Sequence, residues 1–236
     1  MKIFGKNVIY AALDAKHKFY EIFLREDIKE KDFKLVERIK KADIKLHVLK
    51  PNEMDKMFKG LHQGYGANVH DYDDNSIEDI IDTSKKQLIV ILDKLNDPNN
   101  LGAIIRSCDA FGIDGIVIPK NRSISVTETV VKISTGAIEY VKICTETNIN
   151  QTIDYLKKNG FWIVGTDASA KTSIYDIEFD RSLALVIGSE GYGISQLTQK
   201  KCDYITKIPM YGHVNSLNAS ASAAICLSAL VNKAQK

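Results

Sequence analysis

No C-x-x-C pair occurs among the four cysteines, Cys108, Cys144, Cys202 and Cys226, and their wide scatter suggests neither a zinc site nor a redox motif. They read as buried, reduced thiols, and no metal is expected. No apolar run approaches the ~20 residues that a membrane span needs. The start, Met1-Lys2-Ile3-Phe4-Gly5, lacks the apolar stretch of a secretion signal, so a cytoplasmic protein without a membrane partner is expected. Charge of one sign is lacking too. With 32 Lys and Arg against 30 Asp and Glu, the formal net charge is +2, too mild to prove a nucleic-acid partner. Two nucleotide signatures are missing: there is no G-x-x-x-x-G-K-[ST], and no G-x-G-x-x-G turn follows the first strand of the C-terminal part. A phosphate-loop NTPase and an ordinary dinucleotide enzyme are both disfavoured. Internal repeats and low-complexity tracts are likewise absent.

What is present suffices for a full core: 236 residues, 44% hydrophobic, allow one large domain or two small ones. The first seventy or so residues alternate helix and strand signals. Val8–Leu13, Phe33–Lys41 and the stretch from Pro51 through Phe58 read as helices, and Phe19–Leu24, Lys45–Leu49 and Ala67–Val69 as strands. Basic residues crowd between Lys29 and Lys45, interleaved with acids. Taken alone, that stretch reads as a solvated helix face. Residues 73–86 fall in an acidic, polar passage and read as a partly helical linker between a domain over 1–72 and another over 87–236.

From Leu88 the pattern lengthens. Leu88–Leu92 is continuously apolar, as in a strand buried on both faces of a parallel sheet. Leu101, Ile104, Ile105, Cys108 and Phe111 then share one helix face that Gly112 stops. Further strands are expected at Gly115–Ile118, Tyr140–Ile143, Phe161–Val164, Leu183–Ile187 and Ile205–Ile208, with helices at Ile149–Lys158 and Asn218–Lys233. Alternating strand and helix predict a mostly parallel, open α/β sheet.

Three strand-to-turn junctions carry the chemistry. In the first, Pro98 fixes the chain before Asn99 and Asn100, and Arg106 stands off the apolar stripe where its planar fork could grip a phosphate. In the second, strand Leu183–Ile187 runs into Gly188-Ser189-Glu190-Gly191-Tyr192-Gly193, whose glycines allow close backbone approach and whose Glu190 sits at a strand's carboxyl end. In the third, Ile208-Pro209-Met210-Tyr211-Gly212 breaks a strand, and Ser216 and Asn218 stand at the entrance of an Ala/Ser-rich helix. Each junction alone also has an ordinary reading as caps and turns, and the third is the sharpest of the three. Their joint occurrence, each after a strand, points to one composite ligand site.

The residues D-P-N-N-L-G-A-I-I-R-S (Asp97–Ser107), L-V-I-G-S-E-G-Y-G (Leu185–Gly193) and I-P-M-Y-G-H-V-N-S-L-N-A-S (Ile208–Ser220) resemble the SpoU-type 2′-O-ribose RNA methyltransferases. The resemblance covers Leu88 to the C-terminus in order and spacing. It implies a knotted, mostly parallel-sheet α/β methyltransferase domain and a homodimer with its site completed across the interface. The N-terminal part resembles the small α/β, ribosomal-protein-like RNA substrate-binding domain of many members, including His62-Gln63-Gly64. It departs where Phe4-Gly5-Lys6-Asn7 stands in place of the family's Y-G-x-H.

The resemblance implies S-adenosyl-L-methionine as cofactor, held by Thr166, Gly188, Ile208, Met210 and Leu217, and a catalytic constellation of Asn100, Arg106, Glu190, Ser216 and Asn218. Arg106 would act on the ribose 2′-hydroxyl. It could do so as a base perturbed by a substrate phosphate or as a cation stabilising the developing oxyanion. A guanidinium with a pKa above ~12 favours the cation. The layout most resembles bacterial members that methylate a guanosine ribose in the peptidyl-transferase loop of 23S rRNA. A tRNA guanosine is the alternative target, and a non-catalytic RNA-binding ribosome-assembly protein is the alternative of a different class.

Overall fold

The computed structural model describes residues 1–120, 125–189 and 193–234, which divide into two units. Unit 1 comprises Met1–Asp73 and Val126–Tyr140; unit 2 comprises Asp74–Ser125 and Val141 onward.

Unit 1 opens with β1 (Lys2–Phe4), α1 (Lys6–Asp14), β2 (Phe19–Arg25), α2 (Glu26–Lys31), α3 (Phe33–Lys41), β3 (Lys45–Leu49), α4 (Pro51–Met57) and β4 (Tyr65–Val69). Its sheet has the order β1-β4-β2-β3, antiparallel except for β2 beside β3. Phe23 on one face packs with Phe4, Met54 and Phe58, and Ile22 and Leu24, opposite by alternation, are fully buried. Asp32 caps α3, accepting from the Leu35 N–H at 3.3 Å, and holds two tyrosine hydroxyls, Tyr10 at 2.7 Å and Tyr65 at 2.9 Å. The turn expected at His62-Gln63-Gly64 is locked by the buried His62, whose Nδ1 accepts from the Gly64 N–H at 2.9 Å while Nε2 meets Asp55 at 2.8 Å.

Unit 2 begins with α5 (Ile77–Ile80), β5 (Leu88–Asp93), α6 (Pro98–Ala110) and β6 (Gly115–Pro119). The chain then contributes α7 (Glu128–Ser134) and a single helical turn, Ala137–Glu139, to unit 1. Glu139 explains the attachment: it accepts from the Tyr72 hydroxyl at 2.5 Å and faces His17 Nδ1 at 3.2 Å. Gly136, with φ +100°, admits no side chain, since a Cβ there would stand 2.5 Å from that of Ala11. This assignment differs from the single domain expected over 87–236. The cause is burial of Val130 and Val131, which local pattern does not reveal. The chain returns through β7 (Lys142–Glu146), α8 (Ile149–Lys158), β8 (Trp162–Thr166), β9 (Thr172–Ser173), β10 (Leu183–Gly188), α9 (Gln196–Lys201), β11 (Tyr204–Lys207) and α10 (Ala219–Ala234).

All pairings in the seven-stranded sheet, order β7-β6-β5-β10-β8-β11-β9, are parallel. The mostly parallel α/β architecture read from the alternation is therefore present. Central β5 and β10 pair from Leu183 opposite Leu88 to Gly188 opposite Asp93, and their apolar runs are buried on both faces. Residues 73–86, expected as a partly helical linker, contain the short α5 and a bridge at Asn75. Ser76 and Asp79 cap each other at α5, and Ile77 and Ile80 are buried in the unit 2 core, each contributing about 1.5–3 kcal/mol. The strand expected at Tyr140–Ile143 starts later, at Lys142, because Tyr140 closes the preceding turn. The cysteines are free, three buried and Cys202 half-buried; burial pushes the Cys144, Cys202 and Cys226 thiols up to about 12.

Candidate functional site

Because β10, β8 and β11 are adjacent and parallel, their carboxyl ends meet at one edge, and loops beyond such ends are where open α/β sheets hold ligands. A cleft of about 520 Å³ lies there, lined by the strand-end residues Thr166, Gly188 and Lys207, by Asp167 and Ser189, and by the run leading into α10. Gly188 is required: a Cβ on it would stand 2.1 Å from the carbonyl carbon of Gly193. Ser189 and Gly193 close their loop by paired main-chain bonds, Ser189 N–H to Gly193 O at 3.2 Å and Gly193 N–H to Ser189 O at 3.0 Å. Thr166 ties β8 to β10 by donating its hydroxyl to Val186 O at 3.2 Å.

Asn218 caps α10. Its Oδ1 accepts from the Ala221 N–H at 2.8 Å, and its amide nitrogen makes no hydrogen bond among the described residues. A ligand in the cleft would thus meet a donor at a helix N-terminus. Ser216 is exposed beside it, and Met210 and Leu217 are each 36% exposed, so the run from Ile208 to Asn218 offers both apolar and polar contacts. Thr166, Gly188, Ile208, Met210 and Leu217, together with Ser216 and Asn218, all line this one cleft. Asn100 and Arg106 do not. They stand on α6, which follows β5 next to β10: Asn100 is buried near the helix start, and Arg106 is exposed with no ion pair among the described residues. Glu190 lies outside the described residues.

Two carboxylates escaped sequence reasoning. Asp93, buried at the end of β5, accepts from the Ser195 N–H at 2.8 Å and the Thr198 hydroxyl at 3.2 Å, pinning the start of α9 beyond the Gly188–Gly193 loop. Its signal was a charged residue closing an apolar run. Asp167, at the cleft wall, accepts from the Ser169 hydroxyl at 2.6 Å, the Ser169 N–H at 2.7 Å and Gln199 Nε2 at 2.9 Å. The Ser169 hydroxyl, then its N–H, hold this carboxyl below the usual range, so it is ionised at neutral pH. No group of three or more His, Cys, Asp or Glu among the described residues could hold a metal ion, and no helix there is long and apolar enough to cross a membrane.

Comparison with known proteins gives this geometry its context. Residues 87–228 match the SpoU rRNA Methylase family, and residues 2–74 match the RNA 2′-O ribose methyltransferase substrate binding family. The chain belongs to the SpoU methylase family. Its activity class is accordingly RNA 2′-O-ribose methylation. A TrmH family tRNA/rRNA methyltransferase of Staphylococcus aureus (strain COL) is 41% identical over 236 residues, covering 98% of this chain and 95% of the relative. Among solved structures, the SpoU methyltransferase AviRb from Streptomyces viridochromogenes, in complex with the cofactor AdoMet, superposes with a TM-score of 0.85 at 22% identity, over 100% of this chain and 90% of that one. The A. aeolicus TrmH/SpoU tRNA modifying enzyme is 28% identical with a TM-score of 0.58, over 64% of this chain and 77% of its own.

Proposed function

We propose that this SpoU-family chain transfers a methyl group from S-adenosyl-L-methionine to the ribose 2′-hydroxyl of a guanosine in the peptidyl-transferase loop of 23S rRNA. One observation carries the reading: the cleft at the carboxyl ends of β8, β10 and β11 gathers Thr166, Gly188, Ile208, Met210 and Leu217 with Ser216 and Asn218. S-adenosyl-L-methionine, when bound, supplies an electrophilic methyl on a cationic sulfonium. The ionised Asp167 in the cleft wall suits a cationic ligand.

Arg106 would face the ribose as a permanent cation, lowering the cost of the developing oxyanion. Ser216 and the amide of Asn218 would order the reacting groups, and Glu190 would support them. In-line approach of the hydroxyl oxygen to the methyl makes positioning the larger share of the acceleration.

The rRNA target is supported by coverage. The matched structure named as a tRNA modifying enzyme covers 64% of this chain, whereas one named as an rRNA methyltransferase, from Sinorhizobium meliloti, covers 97% of it, and residues 2–74 match a substrate-binding family. A homodimer, and the knotted passage of the C-terminal segment, belong to the same proposal. The exposed Tyr211 and Val214 beside the cleft, and an apolar hollow beside Tyr175 and Ile225 on α10, are surface that a second copy would cover. Mass mapping of ribose methylation in rRNA and tRNA from cells lacking the protein tests the target. Loss of one guanosine methylation in 23S rRNA is expected, and a loss confined to tRNA would overturn the choice. Calorimetric titration with S-adenosyl-L-methionine tests the class: no heat at millimolar ligand favours a non-catalytic RNA-binding protein.

A further inference from the structure

Unit 1 carries a cavity of its own, about 780 Å³, between the strands β1, β4 and β2 and the end of α4. Its most telling feature is the direction of Tyr20. The β2–β4 ladder pairs Phe19 with Val69 and then Glu21 with Asn68, so Tyr20 is an extra residue in a β-bulge. By simple alternation Tyr20 would share a face with Ile22 and Leu24, which are both 0% exposed. Instead it lines the cavity together with Glu21 and Asn68 and is 60% exposed. The bulge has turned a large aromatic ring out of the core side and into the open. There it lies stacked on His70, with ring centroids 4.3 Å apart and planes 15° from parallel. The His70 backbone is itself held, accepting from His17 Nε2 at 3.0 Å and donating to Lys18 O at 2.9 Å. One face of Tyr20 is therefore backed and fixed.

The cavity also has a polar edge. Asn68 Nδ2 donates to Glu21 Oε1 at 2.7 Å. Because a carboxylate only accepts, the orientation of that amide is decided, and its Oδ1, which has no partner among the described residues, is left as an acceptor. Charge completes the picture. Lys2, Lys56 and Lys59 stand exposed around the cavity, while its two carboxylates are engaged, Glu21 by Asn68 and Glu128 by the Lys2 N–H at 3.2 Å. A backed aromatic ring, a lone acceptor and a rim of lysines together match an unpaired nucleotide, whose base stacks, whose exocyclic amine donates and whose phosphates are anionic.

We propose that this cavity holds one unpaired, amine-bearing base of the RNA substrate, stacked on Tyr20, read by Asn68 and flanked by phosphates on Lys56 and Lys59. The proposal rests on the reading of the chain as an RNA methyltransferase and adds where unit 1 grips single-stranded RNA.

The test uses the full chain and fluorescently labelled oligoadenylate, followed by anisotropy, with the same strand annealed to oligouridylate as the paired control. The single strand is expected to bind more tightly than the duplex. Tyr20→Ala should weaken single-strand binding by about tenfold, the loss of one stacked base, while Tyr20→Phe keeps wild-type affinity. Replacing Lys56 and Lys59 by Ala should lower the slope of log affinity against log salt by about 0.7 for each phosphate that is no longer neutralised. Equal affinity of wild type and Tyr20→Ala overturns the pocket, and so does photo-crosslinking of a 4-thiouridine-bearing strand only to peptides outside β2, α4 and β4. Methyl transfer is assayed separately. RNA methylation with Tyr20-independent binding sinks the pocket alone, and Tyr20-dependent binding by a chain that methylates no RNA sinks the enzymatic reading alone.

Discussion

The cleft in unit 2 and the cavity in unit 1 are of similar size, about 520 and 780 Å³, yet they are built from different material. The cleft is shaped by strand ends, a glycine loop and a helix start, so backbone geometry sets its form. The cavity is shaped by an aromatic ring, an amide and lysines. A main-chain site tolerates many side-chain exchanges but fails when backbone cannot approach backbone. A side-chain site tolerates backbone detail and fails when one ring or charge is removed. The division suits the two tasks assigned to the units, since a fixed small cofactor rewards a rigid frame and an RNA segment rewards adjustable side chains.

The largest effect should come from adding a single methyl to the cleft floor. Gly188→Ala places a Cβ within 2.1–2.3 Å of Gly193 and Ile194 backbone atoms; calorimetry should show cofactor binding lost and denaturant melts a stability lower by about 3 kcal/mol. Undiminished cofactor affinity in this variant would break the comparison. Next, Arg106→Ala should reduce the turnover rate about 10²–10³-fold with cofactor affinity retained, because Arg106 stands off the cleft lining. Wild-type turnover would remove Arg106 from the mechanism.

A smaller loss is expected for Asp93→Asn. Trading the carboxylate that holds Ser195 and Thr198 for an amide should cost about 2 kcal/mol in urea unfolding, and a stability equal to wild type would show that this anchor does not fix the loop. The smallest effect belongs to unit 1 and is a pH dependence. The hydrogen bond to Glu139 raises the pKa of His17 above 6.5, so its contribution to stability is complete below pH 6.5 and is lost as pH rises through the folded value. Melting temperatures measured from about pH 6 to about pH 9 should fall slightly, and His17→Gln should flatten that fall. An equal pH slope in both proteins would sever the link to His17.

The sheet of unit 2 was legible because Leu88–Leu92 and Leu183–Ile187 are apolar on both faces, which only a covered parallel strand explains. The cleft was legible because the ends of β10 and β11 each lead into turn residues and small polar groups, whereas the first junction, with Asn100 and Arg106, lies outside its lining. What escaped depends on distant partners. Asp93 meets Ser195 across 102 positions, and no local pattern announces that bond. The short α9 has Thr198 as its buried residue, too little periodicity to read. Tyr20 lies in an apolar run that alternation sends inward, and only the register against β4 reveals the bulge that sends it outward. Ile77 and Ile80 were visible as apolar residues in an acidic stretch, but the charges around them outweighed the pair in a reading based on composition.

The loan of residues 126–140 to unit 1 has a consequence for the order of events during synthesis. The first 73 residues can form their four strands early, but Glu139, which receives Tyr72 and His17, and Val130 and Val131, which complete the packing, leave the ribosome only after β5, α6 and β6 have already been made. The N-terminal unit therefore cannot finish before the next has begun. Domains usually fold in turn from the N-terminus, but in this chain the two must mature together, and a cut placed anywhere in 74–86 would release an N-terminal fragment without its closing helix.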